Sequence, residues 1–136
     1  MAASTQARES SRKPGQIQQY LMGAVKINKG TLVFVQLASG LAFPGRAGTS
    51  TDVFVGVAHD TVDNTTGAGN LTILVYKEGT HNFLLASTAQ VSIGQPAYAA
   101  DDQTLTLTAT ANVLVGYIQS IVDAATVSIK IDRAAQ

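Results

Sequence analysis

Residues 103–108 read Gln-Thr-Leu-Thr-Leu-Thr. Strict alternation of this kind places one face in a core and the other in water, which is the pattern of a β-strand. The same period of two returns in residues 126–131, Thr-Val-Ser-Ile-Lys-Ile. Working outward, residues 31–37, 53–59, 71–77, 82–86 and 113–119 are rich in Val, Leu, Phe and Thr, and 25–27 and 96–98 add short strands. Turn residues separate them, among them Asn28-Lys29-Gly30, Ser39-Gly40, Pro44-Gly45, Glu78-Gly79, Gly94-Gln95-Pro96 and Ala100-Asp101-Asp102. Asp123 to Ala125 forms a further turn, and no stretch has the period of an amphipathic helix. Short strands at this spacing predict an all-β fold, either a jelly-roll-like β-sandwich or a small β-barrel.

A weak internal repeat runs through the strands. Gly30-Thr-Leu-Val-Phe34 resembles Gly94-Gln-Pro-Ala-Tyr98 at an offset of 64, and Asp52-Val-Phe-Val-Gly-Val57 resembles Asn112-Val-Leu-Val-Gly-Tyr117 at an offset of 60. Strands 71–76 and 126–131 follow as the third member of each half. Either the chain is duplicated, or apolar strands resemble one another by chance. The central glycines, Gly56 and Gly116, weaken a strand interior, so each needs a bulge or a neighbouring backbone at close approach.

Residues 1–20 are different. Nothing bulky and apolar precedes Ile17, so the segment cannot build a core and is expected to be a flexible N-terminal arm on a single β domain spanning 21–136. Arg8, Arg12 and Lys13 against Glu9 give the arm a net charge of +2, while six basic and eight acidic side chains leave the remainder at −2. Two readings stand for the arm: a plain tail, or a segment ordered by lying across a partner. In the second, Arg8, Arg12, Lys13, Gln16, Gln18 and Tyr20 are the candidate protein-contact residues. Twenty extended residues reach about 66 Å, farther than such a domain is wide.

The 136-residue chain is formally neutral and only 13% charged, about half the usual share for a soluble domain. Binding to nucleic acid through a basic field is therefore not expected. There is no Cys, so disulfides and thiolate chemistry are excluded. No apolar run reaches the 18 or more residues of a membrane-spanning helix, and residues 1–20 lack the apolar region of a secretory signal. Asn64 and Asn70 match a glycosylation pattern that means little without such a signal.

Candidates for chemistry are few. His59, Asp60 and Asp63, with His81 beyond a turn, could supply metal ligands, but adjacent strand residues such as His59 and Asp60 point to opposite faces. Asp101 and Asp102 suit a hairpin turn between Tyr98 and Leu105. No carboxylate pair is placed by a motif, no Gly-x-Ser-x-Gly elbow or phosphate loop occurs, and Gly67-Ala-Gly69 lacks a following helix. The chain is read as a non-enzyme without metal or cofactor. Thr104, Thr106 and Thr108 line one face, either solvated or a neutral contact surface.

Val-Phe-Val-Gly-Val-Ala-His-Asp-Thr-Val-Asp-Asn at 53–64, followed by Thr-Thr-Gly-Ala-Gly-Asn, resembles the capsid cement, or decoration, proteins of tailed bacteriophages. So does Ala-Tyr-Ala-Ala-Asp-Asp-Gln-Thr-Leu-Thr-Leu-Thr at 97–108, followed by Asn-Val-Leu-Val-Gly at 112–116. The similarity covers roughly residues 23–131 in short, apolar motifs, and the arm lies outside it. It implies a structural β domain that assembles in the host cytoplasm onto the outer capsid surface of the virion. There it would act as a homodimer or homotrimer on the major capsid protein and reinforce the shell against internal pressure, with no nucleic acid or membrane as partner. The arm's cations would then meet acidic capsid groups. The other reading is a receptor- or carbohydrate-binding module of the virion, which calls for exposed aromatics in loops, such as Phe43 or Phe83.

Overall fold

A computed structural model describes residues 17–48, 51–85 and 88–131. Its elements are almost entirely strands: β1 (Ile17–Leu21), β2 (Lys26–Ile27), β3 (Leu32–Val35), β4 (Ala42–Pro44), β5 (Val53–Ala58) and β6 (Val62–Asp63) come first. β7 (Thr72–Tyr76), β8 (Thr80–Leu85), β9 (Pro96–Ala99), β10 (Thr104–Thr106), β11 (Leu114–Asp123) and β12 (Thr126–Lys130) follow, with one 3-10 turn at Gln90–Ser92. The chain is all-β, as its alternation predicts, and one of its sheets closes into a barrel.

The weak repeat is a structural duplication. The first half forms a sheet in the order β1-β7-β5-β3-β4, and the second forms β8-β12-β11-β9-β10. These are the same arrangement, position by position. Val33 lies opposite Gly56 as Ala97 lies opposite Gly116. Ile17 and Leu21 face Tyr76 and Thr72 as Thr80 and Leu84 face Lys130 and Thr126. Phe34 pairs with Phe43 as Tyr98 pairs with Thr106. The second unit closes into a barrel through parallel pairing of β8 with β10, at Leu84–Thr104 and Leu85–Leu105. In the first the corresponding segments meet at one isolated parallel bridge, Met22–Ala42, and the sheet keeps β1 and β4 as its edges.

Because a strand's side chains alternate, equal register puts equal positions inside. Met22, Val33, Ala42, Val55, Ile73 and Val75 are buried in the first unit. Their counterparts Leu85, Ala97, Leu105, Val115, Val127 and Ile129 are buried in the second. Val33 shrinks to Ala97 where Ala42 grows to Leu105, so volume is kept within the layer rather than at each position, which a close-packed core tolerates.

Both central glycines stand where a Cβ would collide with a backbone oxygen, that of Tyr76 at Gly56 and that of Lys130 at Gly116. Each lies at a register shift in its ladder, so the bulge and the close approach expected of a strand glycine occur together.

The turns repeat as well. The Gly30 N–H donates to the Ala58 carbonyl (2.9 Å) as the Gly94 N–H does to that of Ile118 (2.8 Å), both glycines at positive φ. Gly48, at φ 71°, corresponds to Ala111, at φ 59°. A non-glycine residue there pays about 1–2 kcal/mol of steric cost. Ala111→Gly relieves this and returns about 0.4–1 kcal/mol as extra unfolded-state entropy. A net gain of roughly half to one kcal/mol is expected, read as a rise of a few degrees in melting temperature.

The two units meet through an outer face of the first. Leu32, Phe34, Phe54 and Val57 point away from the first unit's interior, yet all are at most 4% exposed and belong to one continuous core with the second unit's interior. Phe34 and Phe54 pack edge to face, centroids 6.1 Å apart. At the seam the Leu32 N–H donates to the Asp102 carbonyl (2.8 Å) and the Gly48 N–H to Asn112 Oδ1 (2.9 Å). Thus the β9–β10 turn end of the second unit sits on the β3–β5 face of the first.

The sequence places residues 17–20 in the arm, but Ile17–Leu21 form β1, paired along its whole length with β7. Ile-Gln-Gln-Tyr-Leu needs only β7 to anchor it, so the strand forms despite its polar middle. Asn64, completely buried, donates from Nδ2 to the carbonyls of Met22 (3.2 Å) and Gly23 (3.0 Å), so the first glycosylation pattern marks a packing position.

Candidate functional site

The residues with chemical potential are placed by strand ends and turns. β5 stops at Ala58, so His59 and Asp60 lie beyond the reach of strand alternation. Contrary to the opposite-face expectation, His59 Nδ1 is 2.7 Å from Asp60 Oδ2. The His59 ring lies 5.0 Å from that of Tyr76, which lies 5.8 Å from that of His81. This three-ring ladder flanks the crossing from β7 to β8, between the two units. Burial holds the His81 imidazole below its ordinary pKa, opposed by its contact with the Glu78 carbonyl.

Asp63 is turned to its own loop. Its Oδ1 accepts the Thr65 hydroxyl (2.7 Å) and the Thr65 N–H (3.1 Å), and these bonds lower its pKa. Among the described residues no group of three His, Cys, Asp or Glu side chains is arranged to hold a metal. Asp101 Oδ1 accepts the N–H groups of Gln103 (2.8 Å) and Thr104 (2.7 Å), which makes it the turn residue the sequence predicts. Beside it, burial and then the Asp101 charge push the Asp102 carboxyl up.

Of the arm candidates, Arg8, Arg12, Lys13 and Gln16 lie outside the described residues. Gln18 and Tyr20 are in β1; Gln18 is exposed and Tyr20 half-buried. The Tyr20 hydroxyl accepts a hydrogen bond from the Lys77 ammonium (2.7 Å), which also lies 5.2 Å from the ring centroid. Tyr20 packs against the first unit's core, so its polar end already has a partner within the chain. The two aromatics suggested for sugar binding are not in loops. Phe83 is buried on β8, and Phe43, half-buried on β4, lies against Gly23.

What the surface does offer is uncharged area. Ile17, Gln19 and Leu21 of β1 and Leu74 of β7 share the outer side of the first sheet, with Leu21 51% exposed. Thr104 and Thr106 lie half-buried on the outside of β10. The strand ends there, so Leu107 is exposed rather than continuing the alternation. A second face, on β9 and β11, holds Pro96, Tyr98, Leu114 and Tyr117, with the exposed Lys130 of β12 opposite Tyr117. No motif marks these residues; their signal in the sequence is the repeat, which aligns them with Leu32, Phe34, Phe54 and Val57. Comparison with protein-family models, with curated proteins and with solved structures gives no match.

Proposed function

We propose that this chain is a structural capsid decoration protein, which binds the outer surface of a major capsid protein shell and reinforces it against internal pressure. The observation that carries this reading is the exposed, uncharged outer side of β1 and β7, at the point where the basic N-terminal segment enters the fold. Apolar area without charges is covered by a partner at little desolvation cost. β1 is an edge strand of its sheet, with the parallel Met22–Ala42 bridge beside its end, and an edge strand can accept a strand from a neighbour. Arg8, Arg12 and Lys13 would contribute at the rim, where charges favour encounter and register more than affinity. Several copies joined to each other and to several shell subunits would gain strength by avidity.

The test uses the N-terminal boundary that the structure supplies. Deleting residues 2–15 removes all three cations and spares β1. The shortened protein is expected to keep its melting temperature and to lose roughly tenfold or more in capsid occupancy on co-sedimentation with shells. Deleting 2–20 instead removes most of β1 and is expected to lower the melting temperature. Equal occupancy by the 2–15 deletion and the full chain would overturn the role given to the segment. Electron microscopy of particles that showed the chain absent from the outer shell would overturn the capsid reading itself.

A further inference from the structure

The duplication leaves one surface of each unit without its counterpart. Within the chain, the β3–β5 face of the first unit is covered by the β9–β10 turn end of the second. The equivalent face of the second unit is Pro96, Tyr98, Leu114 and Tyr117, and the equivalent end of the first is the β3–β4 turn, residues 36–41. Among the described residues nothing joins these two. Phe34 is fully buried and Val57 is 2% exposed, whereas their counterparts Tyr98 and Tyr117 are half-buried and 38% exposed. At the unused turn end, Leu37 is 67% exposed, in the place that Asp101 takes in the second unit.

The two unused surfaces depart from the used pair in the same direction. Leu32 gives its N–H to the Asp102 carbonyl; its counterpart Pro96 has none to give. The polar Asp101-Asp102 turn is replaced by Leu37-Ala38. The face has lost the seam's N–H donor and the turn has lost its two carboxylates, as two surfaces that meet each other would, while Tyr98 and Tyr117 bring hydroxyls to the face and Lys130 lies opposite Tyr117. We infer that copies of this chain associate head to tail, the β9–β11 face of one covered by the β3–β4 turn end of the next, which continues between chains the contact made within each. Such a contact is heterologous, so it generates a ring or a filament rather than a two-fold pair of identical faces. The inference does not rest on the capsid reading, since it concerns only the chain and its copies.

The experiment uses the full chain and two charge insertions at exposed sites, Leu37→Glu and Tyr117→Glu, with circular dichroism and melting temperature to verify folding. Sedimentation and native mass spectrometry should find the parent chain oligomeric. Each variant alone should be folded and monomeric, because every contact in its assembly has to bury an introduced carboxylate, at position 117 together with the Lys130 that lies opposite it. Mixed one to one, they should form a 1:1 heterodimer, since the intact face of Leu37→Glu meets the intact turn end of Tyr117→Glu. A monomeric parent chain would overturn the inference. So would an oligomer that Tyr117→Glu dissolves and Leu37→Glu leaves intact, because that pattern belongs to a face-to-face dimer. Mixed variants that stay monomeric at the highest concentration reached would overturn it as well.

Discussion

Gly56→Ala is expected to cost about 2–6 kcal/mol and Gly116→Ala about 1–3 kcal/mol of folding stability. In both, the new methyl would enter space held by a backbone carbonyl oxygen, that of Tyr76 or Lys130. A flexible side chain could move aside, but these carbonyls belong to β7 and β12, which are hydrogen-bonded on both sides. Relief requires opening the β5–β7 or β11–β12 ladder, and overpacking of this kind costs about 1–3 kcal/mol. Gly56 carries a second penalty, because its φ of 146° is one that side chains rarely adopt, worth about 1–3 kcal/mol more. Domains have a total stability of about 5–15 kcal/mol, so Gly56→Ala approaches the limit of folding. Urea midpoints measure both. Gly40→Ala is the control: it also has a positive φ, 71°, but open space around the added carbon. Its cost should be only the left-handed penalty of about 1–2 kcal/mol. Equal losses at Gly40 and Gly56, with none at Gly116, would show that dihedral strain, and not collision, sets the requirement.

Those two glycines are also where the sequence says most about the fold. A strand interior that keeps a glycine twice, at matching positions of two similar segments, marks both the repeat and its tightest packing. The all-β class follows as directly from the alternation of 103–108 and 126–131. The first strand of each unit is harder to see, although its pattern is present. Gln18-Gln-Tyr-Leu-Met22 and His81-Asn-Phe-Leu-Leu85 match in kind at every position. Polar residues at two of five places, and a preceding Pro14-Gly15, hide the first as arm; only the register with β7 reveals it. β4 is equally obscure, three residues ending on a proline that suits a turn or an edge. Strand ends set the other limit. Alternation predicts opposite faces for His59 and Asp60 and a buried Leu107, and fails in both because β5 and β10 stop one residue earlier. The candidate contact faces lie further from view. Period two says that Phe34 and Tyr98 face outward from their own units, but only the docking of one unit on the other decides which is covered.

That docking makes the second large effect a test of cooperativity. Phe34→Ala is expected to cost about 3–5 kcal/mol, the usual range for a phenylalanine truncated in a core, and to leave unfolding as one transition. The ring is fully buried, though it points out of its own unit. Its surroundings are Phe54 and the interior of the second unit, so the cavity forms in packing that both units need. The edge-to-face contact with Phe54 adds about 0.5–1.5 kcal/mol to what the lost area predicts. Ile73→Ala provides the comparison, since Ile73 is fully buried within the first unit alone and should cost about 2–5 kcal/mol. If the units unfold together, each substitution shifts a single calorimetric transition whose van't Hoff and calorimetric enthalpies agree. If they are separate bodies, Ile73→Ala lowers one transition and leaves a second where it was, and Phe34→Ala costs little because its face would be water-exposed on separation. The shared core argues for the first outcome. A hydrophobic cluster that runs from Leu32 through Phe34 into Val115 and Ile129 cannot be opened on one side without exposing the other.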